Sequence, residues 1–142
     1  MKMTVRIVMC ITSLLAIGSS SYVGAQHDST ISDMEIKLVD FEDLTYPTLA
    51  RTAHVEGVVV VRASLNDEGK VVEATAVSGN DILIPDCLAN AKKWRFRPNA
   101  KKTVVIVYNF RMTYAVSKSG CSQFMLQAPN FATITSCVPT IQ

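Results

Sequence analysis

Histidine is nearly missing from this chain: His27 and His54 are the only two among 142 residues. They lie far apart, and neither has a His, Cys or carboxylate at the spacing a metal site uses, which argues against a zinc centre and a histidine acid–base pair. His54 reads as a polar residue at a helix end. The six glycines form no phosphate-cradling loop; Gly57, Gly69 and Gly79 stand singly where a strand starts or turns. There is no paired-cysteine redox motif and no nucleophile-elbow serine. The expectation is therefore a protein that is not an enzyme and uses no cofactor or metal. The five prolines, Pro47, Pro85, Pro98, Pro129 and Pro139, are scattered, which excludes a proline-rich spacer. With 12 acidic against 14 basic residues and 49% hydrophobic content, the composition is that of one ordinary folded domain, neither a disordered tail nor a collagen-like rod.

The chain opens with Lys2 and Arg6, continues through the largely apolar stretch from Ile7 to Gly18, and reaches the small-x-small ending Val23-Gly24-Ala25. This is the order of a secretory signal, with cleavage expected after Ala25. The alternative, an uncleaved inner-membrane anchor, is weakened because the second half of the segment is Ser, Gly and Tyr, and the apolar part falls short of the ~20 residues a spanning helix wants. Cys10 sits inside the apolar run, away from a cleavage point, so a lipid anchor is disfavoured.

Removing residues 1–25 takes away two basic residues and no acidic ones, so the formal net charge of +2 belongs to the signal and the remainder is neutral. The signs are still separated. Asp28, Asp33, Glu35, Asp40, Glu42 and Asp43 precede the first helix, whereas Lys92, Lys93, Arg95, Arg97, Lys101 and Lys102 cluster in the middle. A nucleic-acid surface would need its cations free of a competing acidic run, so two solvated faces that attract each other is the better reading, and no nucleic-acid partner is expected.

Export also decides the cysteines, because disulfides persist outside the cytosol. Cys87, Cys121 and Cys137 remain after cleavage. A three-residue loop around Pro129 would pair Phe124 with Ile134, Leu126 with Ala132 and Cys121 with Cys137, so that the two cysteines close the open end of a hairpin. Closing such a loop is worth about 3 kcal/mol in the chain-entropy model. Cys87 lies in a helical pattern beside the apolar stripe and reads as a small buried hydrophobe.

Between the ends, Ile36 to Phe41 can form a short strand, and Tyr46 to His54 reads as a two-turn helix with Pro47 in its first turn, where no amide is needed. Val58 to Leu65 and Lys70 to Val77 are β-branched runs around Asn66-Asp67-Glu68-Gly69, a hairpin turn. Pairing Leu65 with Lys70 places Arg62 opposite Glu73, Val61 opposite Ala74 and Ala63 opposite Val72. A second helix runs from Ile84 to Trp94 with Ile84, Leu88, Ala91 and Trp94 as its stripe, while Asn90, Lys92 and Lys93 face away. Pro98 and Asn99 end that element. In the strand Thr103 to Tyr114, Val104, Ile106, Tyr108, Phe110, Met112 and Tyr114 share the core face. Trp94, Phe96 and Tyr108 are core residues and not a ligand patch. The architecture expected is α+β: a three-stranded antiparallel sheet with two helices on one face, and a disulfide-closed C-terminal hairpin as an extension. It divides into 1–25, 26–45, 46–114 and 115–142: signal, acidic lead-in, domain and hairpin.

Tyr46-Pro47-Thr48-Leu49-Ala50, Glu56-Gly57-Val58-Val59-Val60-Val61, Asn66-Asp67-Glu68-Gly69, Val77-Ser78-Gly79 and Trp94-Arg95-Phe96-Arg97-Pro98, in that order, resemble the C-terminal domain of the TonB energy-transducer family. The likeness runs from Tyr46 to about Met112. It implies a periplasmic domain that engages TonB-dependent outer-membrane receptors by pairing its last strand with a short receptor segment. Carried onto this chain, the partner-binding strand is Thr103 to Thr113, with Thr103, Val105, Val107, Asn109 and Arg111 on the face away from the core.

The chain departs from a full transducer in two respects. Residues 1–25 contain no histidine of the kind the family's spanning helix carries. The interval from Gln26 to Thr45 reaches at most about 70 Å even fully extended. A soluble periplasmic module is expected; the alternatives are a complete transducer with an uncleaved anchor, or a structural module that homodimerises through its sheet. The hairpin after the last strand would either cover the partner edge or pack elsewhere as a stabiliser.

Overall fold

A computed structural model describes residues 36–114 and 122–138. The expected signal (1–25), the first half of the acidic lead-in (26–35) and Cys121 lie outside the described residues. Nine elements follow one another: β1 (Leu38–Asp40), α1 (Thr48–Thr52), β2 (Gly57–Leu65), β3 (Val71–Ser78), α2 (Ile84–Ala91), β4 (Arg95–Phe96), β5 (Thr103–Thr113), β6 (Ser122–Ala128) and β7 (Phe131–Cys137). None of the described helices is long and apolar enough to cross a membrane.

The expected three-stranded sheet is corrected to five strands in the order β3-β2-β5-β7-β6, with β1 and β4 forming a separate two-stranded pair. The hairpin β6–β7 is part of the main sheet, and β7 runs parallel to β5. Burial explains this. Phe124, Leu126, Ala132 and Ile134 alternate along the hairpin, and the register of Tyr108 with Ala132 and Phe110 with Ile134 puts them on the core face of β5. Joining the sheet extends one apolar layer, with Ala132 and Ile134 fully buried. At about 25 cal/mol per Å² of apolar area, that layer favours docking over a separate, marginal hairpin.

Within the hairpin, Phe124 pairs with Ile134 and Leu126 with Ala132, the register expected from the loop. The turn is tighter, because Ala128 pairs with Phe131 across Pro129 and Asn130, and a bulge at Gln127 takes up the extra residue. Cys137 stands at the end of β7, and the disulfide expected there involves Cys121, outside the described residues.

The β2–β3 register is also corrected. Ala63 faces Ala74, Arg62 faces Thr75 and Ser64 faces Glu73, with irregularities beside Leu65 and Val60. The turn closes one residue later than expected: Asn66 N–H donates to the Lys70 carbonyl, while Asn66 Oδ1 accepts from the amides of Glu68 and Lys70. Val71 is thereby the buried residue, and Val72 faces solvent at 59% exposure.

Helix α2 lies across β2 and β3. Its inward face is Leu83, Cys87, Asn90 and Ala91, rotated from the expected stripe so that Ile84 and Leu88 are only half-buried and Asn90 points into the core. On β5, Val104, Ile106, Tyr108 and Phe110 are buried as expected, but Tyr114 is 86% exposed because the strand ends at Thr113.

Ser136 sits on the core face of β7, fully buried, and its Oγ has no hydrogen-bond partner among the described residues. A buried hydroxyl without a partner keeps its desolvation cost. Ser136→Ala is therefore expected to stabilise the fold by about 1 kcal/mol, read as a higher urea midpoint; a lower midpoint would refute it.

Candidate functional site

Strand β5 holds the residues expected to bind a partner. Thr103, Val105 and Arg111 are exposed, and Val107 and Asn109 are half-buried, on the face away from the helices. Yet β5 is an inner strand. The antiparallel partner β2 lies along Gly57 to Ser64, and β7 covers the other side from Val107 to Thr113. Two hydrogen bonds fix which backbone groups are used: Val107 N–H donates to the Asn130 carbonyl at 2.8 Å, and Val138 N–H donates to the Thr113 carbonyl at 3.1 Å. Because alternate residues of a strand point their amides to opposite sides, Val107, Asn109, Arg111 and Thr113 direct their backbone groups at β7. Asn130 extends the cover by donating from Nδ2 to the Val105 carbonyl. A segment that used the β5 edge would compete with β7 for these groups.

The same alternation locates the outward groups of β6, which with β3 is one of the two outer strands of the sheet. Phe131, Thr133 and Thr135 of β7 use their backbone groups toward β6, so their opposites Met125 and Gln123 are the bonded residues of β6. Phe124 and Leu126 direct theirs outward. Facing that edge is β1, joined to β4 through Leu38 and Phe96. Between them runs a groove of about 690 Å³ lined by Ile36, Lys37, Leu38, Arg97, Leu126 and neighbours.

Polar and aromatic contacts hold the walls of the groove in place. Phe41 stacks on Phe124 with ring centroids 5.8 Å apart and leans on Trp94 at the same distance. Asn90 Nδ2 donates to the Glu42 carbonyl at 2.9 Å, and Lys93 Nζ meets Glu42 Oε1 at 2.6 Å. The acidic lead-in and the basic helix end thus do attract each other, although the ion pair is exposed and worth under about 1 kcal/mol. Polarity turns Asn90 to solvent in the sequence reading, whereas the structure turns it inward; its i to i+4 spacing to Trp94 is the one sequence signal of the hydrogen bond they share.

Three buried acids shift together. Burial, then the nearby Asp86 charge, pushes the Cys87 thiol from 9.0 to about 12. Burial and then Glu56 raise the Tyr46 hydroxyl from 10.0 to about 12, and burial raises Tyr108 above its ordinary value. Between the ordinary and the raised values, the folded chain keeps protons that the unfolded chain has lost. Stability from these groups is complete below about pH 9 and falls as pH climbs toward 12. Urea midpoints across pH 7 to 11 should show this decline, and Cys87→Ala should move its onset toward the Tyr46 range near 10. An onset unmoved by that substitution would discount the thiol.

His54 ends α1 with φ 53° and is exposed. Among the described residues no group of three His, Cys, Asp or Glu could hold a metal ion.

These features define an α+β domain: a mixed sheet with helices on one face, with β5 covered on both sides and β3 and β6 as its outer strands. The chain belongs to the family "Gram-negative bacterial TonB protein C-terminal", whose model matches residues 42–116. That family comprises non-catalytic binding and transducing domains, is associated with the Gram-negative envelope, and interacts with outer-membrane receptors. Among solved structures, the solution NMR structure of the Pseudomonas aeruginosa TonB CTD is similar at 18% identity, covering 52% of this chain and 83% of that one, with a TM-score of 0.43. No curated protein matches this chain.

Proposed function

We propose that this chain is a periplasmic TonB-like module that binds TonB-dependent outer-membrane receptors by adding an extended receptor segment to its sheet, in association with transport across that membrane. The observation that carries this reading is the family match over residues 42–116. Strand addition fits it because backbone pairing gives affinity, while the alternate side chains of the strand give selectivity. The strand residues that the family likeness carries over are Thr103, Val105, Val107, Asn109 and Arg111, of which the last three lie on the stretch paired with β7. Export by a signal cleaved after Ala25 completes the proposal. So does a Cys121–Cys137 disulfide, the bridge expected to close the open end of the hairpin.

The test is binding of purified residues 26–142 to purified TonB-dependent receptors of the same bacterium, with the mature N-terminus determined from the periplasmic fraction. Saturable binding and an N-terminus at Gln26 are expected. A folded chain that binds none of these receptors would refute receptor engagement; a membrane-bound chain retaining Lys2 would favour the anchored transducer.

A further inference from the structure

Resting on that reading, we infer that the receptor segment docks on β6, in the groove between β6 and β1, and that β7 stays in place as a permanent strand on β5. Two independent features lead there. Phe124 and Leu126 direct their N–H and C=O groups away from β7, so β6 offers a row of backbone partners along an open edge. The groove beside this edge also has chemical character: Ile36, Leu38 and Leu126 give it apolar walls, and its described lining residues include the cation Arg97 and no carboxylate. Arg97 is exposed, and its amide donates to the Lys37 carbonyl, which ties the two residues to one stretch of wall. The occupant that fits is an extended receptor segment with apolar residues at alternate positions and a carboxylate that reaches Arg97. Displacing β7 instead would expose the fully buried Ala132 and Ile134, which a receptor segment would have to replace before gaining anything.

The experiment uses folded residues 26–142 and synthetic peptides copied from the N-terminal segments of those receptors, with amide hydrogen exchange read residue by residue. Binding should slow exchange at Phe124 and Leu126 and leave the amides of Phe131 to Cys137 as protected as before. Leu126→Pro removes one outward N–H on an edge strand and should weaken binding at least tenfold. Arg97→Glu, at an exposed position, should weaken acidic peptides and spare those with the carboxylate changed to an amide. Peptide binding that strips protection from Phe131 to Cys137 would overturn the β6 site and keep the receptor-binding function. A dimer whose β6 amides are protected without peptide would assign that edge to a second copy and overturn it too. Failure of both peptides and intact receptors to bind would remove the function itself.

Discussion

Gly69→Ala is expected to cost this domain about 4 kcal/mol, close to the upper limit for a single change. Gly69 has φ +79°, where a side chain alone costs about 1–2 kcal/mol. The larger part is collision. A Cβ there would stand 1.7 Å from the Phe96 carbonyl oxygen and 2.9 Å from its carbon, both backbone atoms that no rotamer change can move. Strand β4 would have to retreat, breaking the 2.8 Å bond from the Phe96 amide to the Gly69 carbonyl and withdrawing the buried Phe96 ring from the core. Gly57→Ala is the matched comparison: φ is +138° there, but nothing lies within 4 Å of the added atom. Its cost should stay near the conformational term, about 1–2 kcal/mol. Chemical unfolding of both variants tests the account, which fails if Gly69→Ala is no worse than Gly57→Ala.

The second large effect is at Asn90. Its Oδ1 accepts from Trp94 Nε1 at 2.9 Å and from the Tyr108 hydroxyl at 3.0 Å, while its Nδ2 donates to the Glu42 carbonyl. Three elements therefore meet on one side chain: α2, β5 and the segment after β1. Asn90→Ala would strand a buried N–H and a buried O–H as well as leave a void, for an expected loss of about 3–4 kcal/mol. Tyr108→Phe alone should cost about 1 kcal/mol. In the double variant the stranded hydroxyl is gone, so its loss should be smaller than the sum of the two single losses. Strict additivity would show that the two side chains do not act as one network. Losing the Glu42 contact should also loosen the β1 wall of the groove, so amide exchange of Arg97, whose N–H bonds the Lys37 carbonyl, is expected to speed up in Asn90→Ala even at pH 7 without urea.

Several features were legible because they are local. The turn at Asn66 to Gly69, the two β-branched runs and the alternation in β5 depend on residues within a few positions of one another. The hairpin register was legible as well, since a short loop permits few pairings. Asn90 was misplaced because polarity alone assigned it to solvent, whereas Trp94 and Tyr108 supply polar partners inside the core. The β2–β3 register slipped because side-chain caps at Asn66 and the irregularity beside Leu65 cannot be read from a hydrophobic pattern. Strand β4 has only two residues, and it exists through its pairing with β1.

The sequence by itself determined the kind of protein this is: a family domain marked by ordered motifs, a neutral body behind a basic N-terminal segment, and strands and helices set by period and turn chemistry. Only the tertiary structure decided that β5 is covered and that β6 becomes an outer strand of the sheet. Both β5 and β6 have backbone groups able to bind a strand, and their sequences do not rank them. The choice falls to burial, since Phe124, Leu126, Ala132 and Ile134 leave water by extending the core layer of Tyr108 and Phe110, and in doing so the hairpin closes one edge and presents another.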